Sequence, residues 1–240
     1  MNKSGEFVSV IIPVYNEKNL INDAILETLE VLEKDFDKYE LIIIDDGSTD
    51  DTFEIISRYA DKNKNIIVLK HANNQNLGSS LYDGFFKAAG DYLIFNSADL
   101  PLSPENIRTL LENNKPFDLL NIERRKYSGA SAWRQTVSLL NKILLHLLFP
   151  LNTKDFRDMN FTVIIKKRIL ESVMPQSKSP GFFMPEMLLR AKYKKMNVKI
   201  AQAEYNPRHK GKSHFGKIKD IIWSLYDMIC FRLDLNTRRK

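Results

Sequence analysis

The alternation of strand-like and helix-like segments over the first 120 residues constrains the fold more than any other feature. The run VSVIIPVY is almost continuously apolar and β-branched, as in a strand that is covered on both faces. The run NLINDAILETLEVLEKD that follows it has apolar residues at helical spacing. The two patterns then repeat through YELIIIDD, DDTFEIISRYADKN, NIIVLKH, GSSLYDGFFKAAG and DYLIFNSAD. This alternation predicts an α/β fold: a doubly wound, mostly parallel sheet with helices on both faces.

The second half of the chain is less regular. The run SPENIRTLLENN predicts a helix with Ser103 as its cap and Pro104 in its first position. The run AWRQTVSLLNKILLHLLFPL predicts a long apolar helix with two open interpretations, packing in the core or lying in the headgroup layer of a membrane. The run KIKDIIWSLYDMICFRL predicts an amphipathic closing helix. No linker in the sequence marks a clear domain boundary.

The composition excludes several classes of protein. Of the 240 residues, 43% are hydrophobic and 28% are charged, as in ordinary globular domains. The single cysteine, Cys230, excludes an internal disulfide framework and fits a reducing compartment. The N-terminal sequence leads into a strand pattern instead of a signal peptide, and no apolar run reaches the roughly 20 residues of a spanning helix.

The two halves of the chain carry opposite charge. Residues 1–120 have 21 acidic and 11 basic side chains, a net charge of −10, whereas residues 121–240 have 9 acidic and 25 basic ones, a net charge of +16. This asymmetry fits either a solvated surface or a basic half that meets an anionic partner, such as nucleic acid, a membrane surface or a phosphorylated lipid. Because no nucleic-acid-binding module is recognisable, we expect no nucleic-acid partner.

Ligands of doubly wound sheets bind beyond the carboxyl ends of the strands. Four such ends are predicted, at Pro13–Glu17, Asp45–Asp51, His71–Ser79 and Asn96–Pro101. The adjacent carboxylates of Asp45 and Asp46 repel each other unless something neutralises them, so we expect a ligand there. The sequence has no P-loop, no G-x-G-x-x-G run after the first strand and no Cys/His cluster with zinc spacing, which argues against dinucleotide and zinc sites.

Four stretches together resemble a known enzyme family: VSVIIPVYNEKNL, LIIIDDGSTDDT, NLGSSLYDGFFKAAGDYLIFNSADLPLSPENI and PRHKGKSHFG. They are similar to the inverting glycosyltransferases of family two, which have the GT-A fold, and within that family to the branch of dolichol-phosphate mannose synthase and the bacterial polyprenyl-phosphate sugar transferases. The resemblance implies transfer of a sugar from a nucleotide-diphosphate sugar to a polyprenyl phosphate, with Mg²⁺ or Mn²⁺ as cofactor. It implies a transferase domain over residues 1–215, with an amphipathic helix and a basic tail over 216–240.

The resemblance assigns a donor side. The residues expected to bind the nucleotide sugar are Pro13, Tyr15, Glu17, Asp45, Asp46, Gly78, Ser97, Ala98, Asp99 and Ser213. The first three match the first-strand motif that cradles the base and the ribose, and the acidic pair matches the one that reads the base. Asp99 matches the second carboxylate of the family's D-x-D motif, so it is the expected metal ligand and also contacts the diphosphate.

The resemblance also assigns an acceptor side. The residues expected to act in catalysis are Asp99, Arg125, Arg134, Ser138, Arg208 and Lys210. Arg125 resembles an arginine of the family's acceptor side, and Arg134 with Ser138 matches an R-x-x-x-S pair near the acceptor phosphate. Arg208 and Lys210, with Gly211 and Ser213, fit a loop that closes over the phosphates.

The sequence departs from the family pattern at the metal site. Ser97 stands where the family has the first aspartate of D-x-D, and Pro101 stands where dolichol-phosphate mannose synthase has a metal-binding glutamine. Met159 and Asn160 replace the usual serine and glycine of a third motif. A hydroxyl is a weak ligand for Mg²⁺. We therefore expect fewer protein oxygens on the metal, or no metal, with Arg125 and Lys210 more important to turnover than Ser97.

Three functions stay open at the level of sequence. A polyprenyl-phosphate acceptor needs no base, since the second pKa of a phosphate monoester is about 6 and the group is largely dianionic at neutral pH. A glycan-hydroxyl acceptor needs a carboxylate base, for which Asp155, Asp158 and Glu186 are candidates. A non-catalytic relative would bind a nucleotide sugar or a membrane partner. The implied location is cytoplasmic and peripheral, on the inner face of the cell membrane, with a membrane-protein partner or a homo-oligomer left open.

Overall fold

The computed structural model describes residues 2–125, 132–206 and 218–237. The strands in these ranges are β1 (Ser4–Val14), β2 (Phe36–Asp45), β3 (Ile66–Lys70), β4 (Tyr92–Phe95), β5 (Leu119–Arg124), β6 (Thr162–Lys166) and β7 (Val198–Ala203). The helices are α1 (Ile21–Asp35), α2 (Thr52–Ala60), α3 (Leu77–Lys87), α4 (Asn106–Asn114), α5 (Ala132–Leu148), α6 (Pro150–Thr153), α7 (Leu170–Val173), α8 (Phe183–Tyr193) and α9 (Ile218–Thr237). The predicted alternation over the first half of the chain is confirmed.

The strands form one mixed sheet in the order β3-β2-β1-β4-β6-β5-β7. Strands β1 to β4 pair with one another in parallel, as predicted, and β5 is parallel to β7. Strand β6 is antiparallel to both β4 and β5, which the sequence pattern did not reveal. Because β6 reverses between them, β4 and β5 run in the same direction, and their carboxyl ends lie at the same edge of the sheet.

The two faces of the sheet carry two hydrophobic cores. Alternate residues of β1 point to opposite faces, so that Val10 and Ile12 belong to one core and Ile11 to the other. The first core packs against α1, α2 and α4, and the second packs against α3, α5, α7, α8 and α9. Because both faces of the sheet are buried, the sequences of the central strands are almost continuously apolar.

Helix α4 begins later than the sequence predicts. Its first residue is Asn106, with Glu105 in the capping position. The Ser103 carbonyl oxygen accepts a hydrogen bond from the Asn106 amide (3.0 Å), so Ser103 and Pro104 form a turn that leads into the helix. The cap prediction at Ser103 was wrong by two residues, because a turn and a first helical turn share the same Ser-Pro signal.

Helix α9 has a docked side and an exposed side. Met228 and Phe231 enter the second core, and the Ser224 hydroxyl oxygen accepts a hydrogen bond from the Gly181 amide (3.1 Å). The exposed side carries Ile218, Ile222, Tyr226, Ile229 and Leu233. Helix α5 is divided in the same way, since Leu145 is buried while Leu139, Leu140, Ile143 and Leu147 are exposed. Within the described residues, no helix is long and apolar enough to cross a membrane.

Candidate functional site

The turns after β1 and β2 are joined by hydrogen bonds at the carboxyl edge of the sheet. The Asn16 amide donates to the Ser48 hydroxyl (2.9 Å), and the Thr49 amide donates to the Asn16 side chain (2.8 Å). The Glu17 amide donates to the Thr52 hydroxyl at the start of α2 (2.9 Å). Asn16 adopts a positive φ of 54°, a conformation that asparagine tolerates better than most residues. The two turns are therefore held together by the chain's own hydrogen bonds and form a surface against which a ligand can bind.

The two adjacent carboxylates at the end of β2 have different environments. Asp46 is satisfied within the chain: it accepts from the Gln75 amide (2.8 Å) and the Asn76 amide (2.9 Å), and its Oδ1 lies 2.7 Å from His71 Nδ1. Asp45 accepts one weak bond from the Ser48 amide (3.3 Å), and its Oδ2 is buried with no partner among the described residues. A buried carboxylate oxygen without a partner is costly, which makes Asp45 the member of the pair that is open to a ligand donor.

The turn after β4 orients a single carboxylate. The buried Asn96 side chain donates to the Leu102 carbonyl (2.8 Å), and Leu100 adopts a positive φ of 42°. The Ser97 hydroxyl donates to Asp99 Oδ1 at 2.5 Å. A hydrogen bond to an ionised carboxylate is short and strong. Ser97 therefore supports the orientation of Asp99 and does not supply a second anionic ligand.

The residues of this turn are a limited fit for a divalent metal. No group of three or more His, Cys, Asp or Glu side chains that could hold a metal occurs in the described part of the chain. Mg²⁺ can nevertheless be held by one or two carboxylates together with substrate phosphates and water. Asp99 is the residue that would hold it, and the metal would supply charge stabilisation to a diphosphate.

A second feature, which we call the cationic cleft, lies beside the end of β5. It has a volume of about 180 Å³ and is lined by Arg124, Ser138, Lys142, Leu145, His146, Phe156, Arg157, Asp158, Met159 and Asn160. Arg124 Nε donates to Asp158 Oδ2 at 2.5 Å, and its guanidinium lies over the rings of Phe161 and Tyr205. Only β6 separates β4 from β5, so the cleft and the Asp99 turn lie at the same edge of the sheet, beyond strands that are two places apart.

The charges of the cationic cleft do not cancel. Asp158 pairs with Arg124, whereas no carboxylate of the described residues pairs with Lys142 or Arg157. Three cationic side chains and one carboxylate line the cleft, and the buried Glu123 carboxylate lies behind it, where it accepts hydrogen bonds from the Arg157 and Asp158 amides (2.7 and 3.4 Å). Lys142 and Arg157 are exposed beside this space, and two such cations favour an anionic ligand.

Comparison with known proteins identifies the family of this chain. The model of glycosyl transferase family 2 matches residues 9–173. The chain belongs to this family. The transferase is 26% identical to a dolichyl-phosphate beta-glucosyltransferase of Trichomonas vaginalis, over 99% of this chain and 78% of that protein. It is 29% identical to an undecaprenyl-phosphate 4-deoxy-4-formamido-L-arabinose transferase of Photorhabdus laumondii, over 92% of this chain and 66% of that protein.

Solved structures support the fold of the transferase. Glucosyl-3-phosphoglycerate synthase from Mycobacterium tuberculosis, in complex with phosphoglyceric acid, superposes with a TM-score of 0.70 at 18% identity, over 94% of this chain and 80% of that one. The same enzyme in complex with Mn²⁺, UDP and glucosyl-3-phosphoglycerate gives a TM-score of 0.68. The predicted GT-A fold and glycosyltransferase class are confirmed. The transferase spans between two thirds and four fifths of the length of these relatives.

Most of the predicted donor residues that the structure describes lie at or just beyond neighbouring strand ends, and Gly78 lies in α3; their roles stay predictions. Pro13 is buried, and Tyr15 and Glu17 are half-buried, at the end of β1. Ala98 is buried beneath the Asp99 turn. Gly78 is buried, and a Cβ there would meet the Lys178 carbonyl oxygen at 2.1 Å. Gly78 is therefore explained by close packing of α3 against the segment at Lys178.

The predicted acceptor residues are only partly described. Ser138 lines the cationic cleft. Arg125 is 59% exposed and pairs with Glu204 at 3.2 Å, and it is not among the residues that line the cleft. Arg208, Lys210 and Ser213 lie outside the described residues, as does the side chain of Arg134.

Three residues of the candidate site were missed by sequence reasoning: Arg124, Lys142 and Arg157. Strand alternation shows that only one of the two arginines in ERRK can face the cleft, but it does not say which one. Lys142 lies four residues after Ser138, one turn along the same helical face, so its position could have been inferred. His71 begins one of the predicted strand ends, but its contacts, like the position of Arg157, depend on distant elements of the chain.

Proposed function

We propose that the transferase moves a sugar from a nucleotide-diphosphate sugar to a polyprenyl phosphate, with inversion at the anomeric carbon. The chain is similar to lipid-phosphate sugar transferases, among them the Trichomonas and Photorhabdus proteins named above. One observation supports this acceptor above others: the cationic cleft lies at the same sheet edge as the Asp45 and Asp99 turns and has two unpaired cations. A phosphate monoester carries a charge of about −1.5 to −2 at neutral pH, so these cations would attract it.

The surroundings of the candidate bases favour a phosphate acceptor over a glycan hydroxyl. Asp158 is held by Arg124, and Asp155 lies 3.6 Å from Lys192. Glu186 is buried and accepts from Arg190 and from the Gln176 and Ser177 amides. A general base must have a free lone pair aimed at the acceptor proton. Asp158 and Glu186 are already engaged, and Asp155 is exposed and is not among the residues that line the cationic cleft.

The proposed reaction needs positioning and charge stabilisation from the protein. An oxygen of the acceptor phosphate attacks the anomeric carbon from the face opposite the nucleotide diphosphate. A new carbon–oxygen bond forms as the bond to the diphosphate breaks, and both electrons of that bond leave with the nucleoside diphosphate. Lys142 and Arg157 would hold the acceptor, and Asp45 would receive a hydrogen bond from the donor. Arg208 and Lys210 would stabilise the charge on the leaving group.

We also propose that the transferase works at the cytosolic membrane surface. Ser138, Lys142 and His146 of α5 face the cationic cleft, and Leu139, Ile143 and Leu147 occupy the adjacent exposed stripe of the same helix. If the phosphate of a polyprenyl phosphate binds in the cleft, its prenyl chain would therefore lie along this apolar surface. The exposed apolar side of α9 extends the surface that could rest among lipid headgroups.

The test is a panel of nucleotide sugars offered with a short-chain polyprenyl phosphate, with the matching polyprenol and with a glycan acceptor, read by mass spectrometry. We expect a glycosyl phospholipid from the phosphate alone, because the polyprenol lacks the anionic group that the cleft favours. Parallel reactions with a chelator measure the dependence on metal. Transfer to the glycan but not to the lipid phosphate would overturn the proposal.

A binding protein without transfer activity is the second candidate. The observation that favours it is Ser97, which stands in place of the first aspartate of D-x-D and leaves Asp99 as the one carboxylate of that motif. A thermal shift with a nucleoside diphosphate, together with no product from any donor and acceptor pair, would support this candidate.

A further inference from the structure

His71 connects two carboxylates at the carboxyl edge of the sheet. It follows β3, and its ring is buried. Its Nδ1 lies 2.7 Å from Asp46 Oδ1, and its Nε2 lies 3.0 Å from Asp83 Oδ2 on α3. The three side chains come from β2, the end of β3 and α3, so they form a bridge between elements that are distant in sequence.

Both ring nitrogens of His71 lie within hydrogen-bonding distance of a carboxylate. An ionised carboxylate is only an acceptor, so each contact is a hydrogen bond when the ring nitrogen that faces it carries a proton. The ring therefore links Asp46, at the end of β2, to Asp83 on α3.

The bridge holds the segment 72–76, which we call the β3 loop. Asp46 accepts from His71 and also from the backbone amides of Gln75 and Asn76. The loop passes directly over Gly47, where an added Cβ would lie 2.6 Å from the Asn73 carbonyl carbon. Residues 72–75 are exposed beside the turn of Asp45. The β3 loop therefore forms a wall of the candidate donor site, and its position depends on Asp46.

We propose that His71 is a positioning residue for the nucleotide donor, acting through Asp46 on the β3 loop. This role rests on the proposed function. His71 need not touch the nucleotide. Without the two hydrogen bonds of His71, Asp46 still accepts hydrogen bonds from the amides of the β3 loop but is no longer linked to α3. The wall of the donor site is then no longer fixed relative to Asp45.

The test compares His71→Gln with His71→Arg in the full chain. Glutamine presents one amide group and cannot satisfy both carboxylates, whereas the arginine fork has donors for both. Affinity for UDP and for GDP, each with Mn²⁺, is measured by titration calorimetry. Hydrogen exchange of the 72–76 amides is followed in parallel. Lys62→Gln, an exposed change at the far end of α2, is the control.

We expect His71→Gln to lower the affinity for the better-bound nucleotide about tenfold and to speed exchange of the loop amides, since hydrogen bonds to charged groups are involved. His71→Arg should recover most of the affinity. Asp83→Ala removes only the outer contact of His71, and it should lower nucleotide affinity about threefold, which keeps the test available if His71→Gln fails to fold. Equal nucleotide affinity in His71→Gln and the wild type would overturn the inference, whatever the change in melting temperature. Failure of the wild type to bind UDP, GDP or any other common nucleoside diphosphate would instead overturn the proposed function, and the inference with it.

Discussion

Neighbouring residues of this transferase differ sharply in what they can do. Asp45 and Asp46 are adjacent, yet Asp46 is saturated by hydrogen bonds and Asp45 keeps a buried oxygen without a described partner. Arg124 lines the cationic cleft, whereas Arg125 pairs with Glu204 on the surface. From the sequence, we expect Arg125 to matter more to catalysis than Ser97. The structure makes Arg124 the better candidate for that role, and variants of Arg124 and Arg125 can be compared directly.

The first prediction concerns these residues. Arg124→Ala should lower kcat/KM about a hundredfold, because it removes a cation from the cleft and leaves Asp158 unpaired. Ser97→Ala should lower it about tenfold, because Asp99 loses one charge-assisted hydrogen bond. The measurement is steady-state transfer to a short-chain polyprenyl phosphate, with the exposed Arg58→Ala as control. An effect of Arg125→Ala larger than that of Arg124→Ala would contradict the assignment.

Single elements of the fold decide where the functional groups meet. Strand β6 reverses the sheet locally and so brings the ends of β4 and β5 to one edge. At the opposite edge, Asp118 connects three strands: it accepts from Arg168 after β6 at 2.5 Å and from the Asn197 amide before β7 at 3.1 Å, and it precedes β5 itself. This second set of contacts is structural and lies at the edge opposite the candidate site.

A second prediction follows for stability. The hydrogen bond from Arg168, aided by the Asn197 amide, lowers the pKa of Asp118 below its ordinary value. A carboxyl group whose pKa is lowered in the folded state stabilises the protein above its unfolded pKa, about 3.9 for aspartate. Asp118→Asn should therefore lower the free energy of unfolding by about 1 kcal/mol at pH 7.

The same difference between wild type and Asp118→Asn should shrink as the pH falls below about 4, because the wild-type carboxyl then takes up a proton. Urea unfolding at pH 7 and at pH 3 measures both values, and transfer activity at pH 7 should be unchanged. A difference that grows toward acid would show that the pKa shift has the opposite sign.

The whole molecule combines an acidic half, where we propose that the donor binds, with a basic half, where we propose that the acceptor binds, and an exposed apolar surface. Residues 1–120 carry a net charge of −10 and residues 121–240 carry +16. The exposed apolar residues of α5 and α9 belong to the basic half. The exposed apolar side chains of α5 and α9 are suited to insertion into a lipid bilayer. The attraction to anionic lipid would come from residues 121–240 as a whole, since α9 itself carries two basic and three acidic side chains.

A third prediction tests this surface. Leu147→Glu and Ile222→Glu should each lower partitioning onto anionic vesicles about tenfold, because each places a charge where an apolar side chain would enter the headgroup layer. Leu26→Glu is the matched control, since Leu26 is also exposed but belongs to α1, on the opposite face of the sheet. Vesicle co-sedimentation provides the measurement. Equal losses in all three variants would indicate a general effect of negative charge.

The sequence by itself determined the α/β fold, the family and the turns that carry Asp45, Asp46 and Asp99. These features are local: apolar periodicity and turn residues report on structure within about ten neighbouring positions. The tertiary structure decided which of two adjacent aspartates is saturated, which of two adjacent arginines faces the cationic cleft, and that His71 bridges Asp46 and Asp83. Those outcomes depend on contacts between residues far apart in the chain, such as the antiparallel insertion of β6, and no local pattern encodes them.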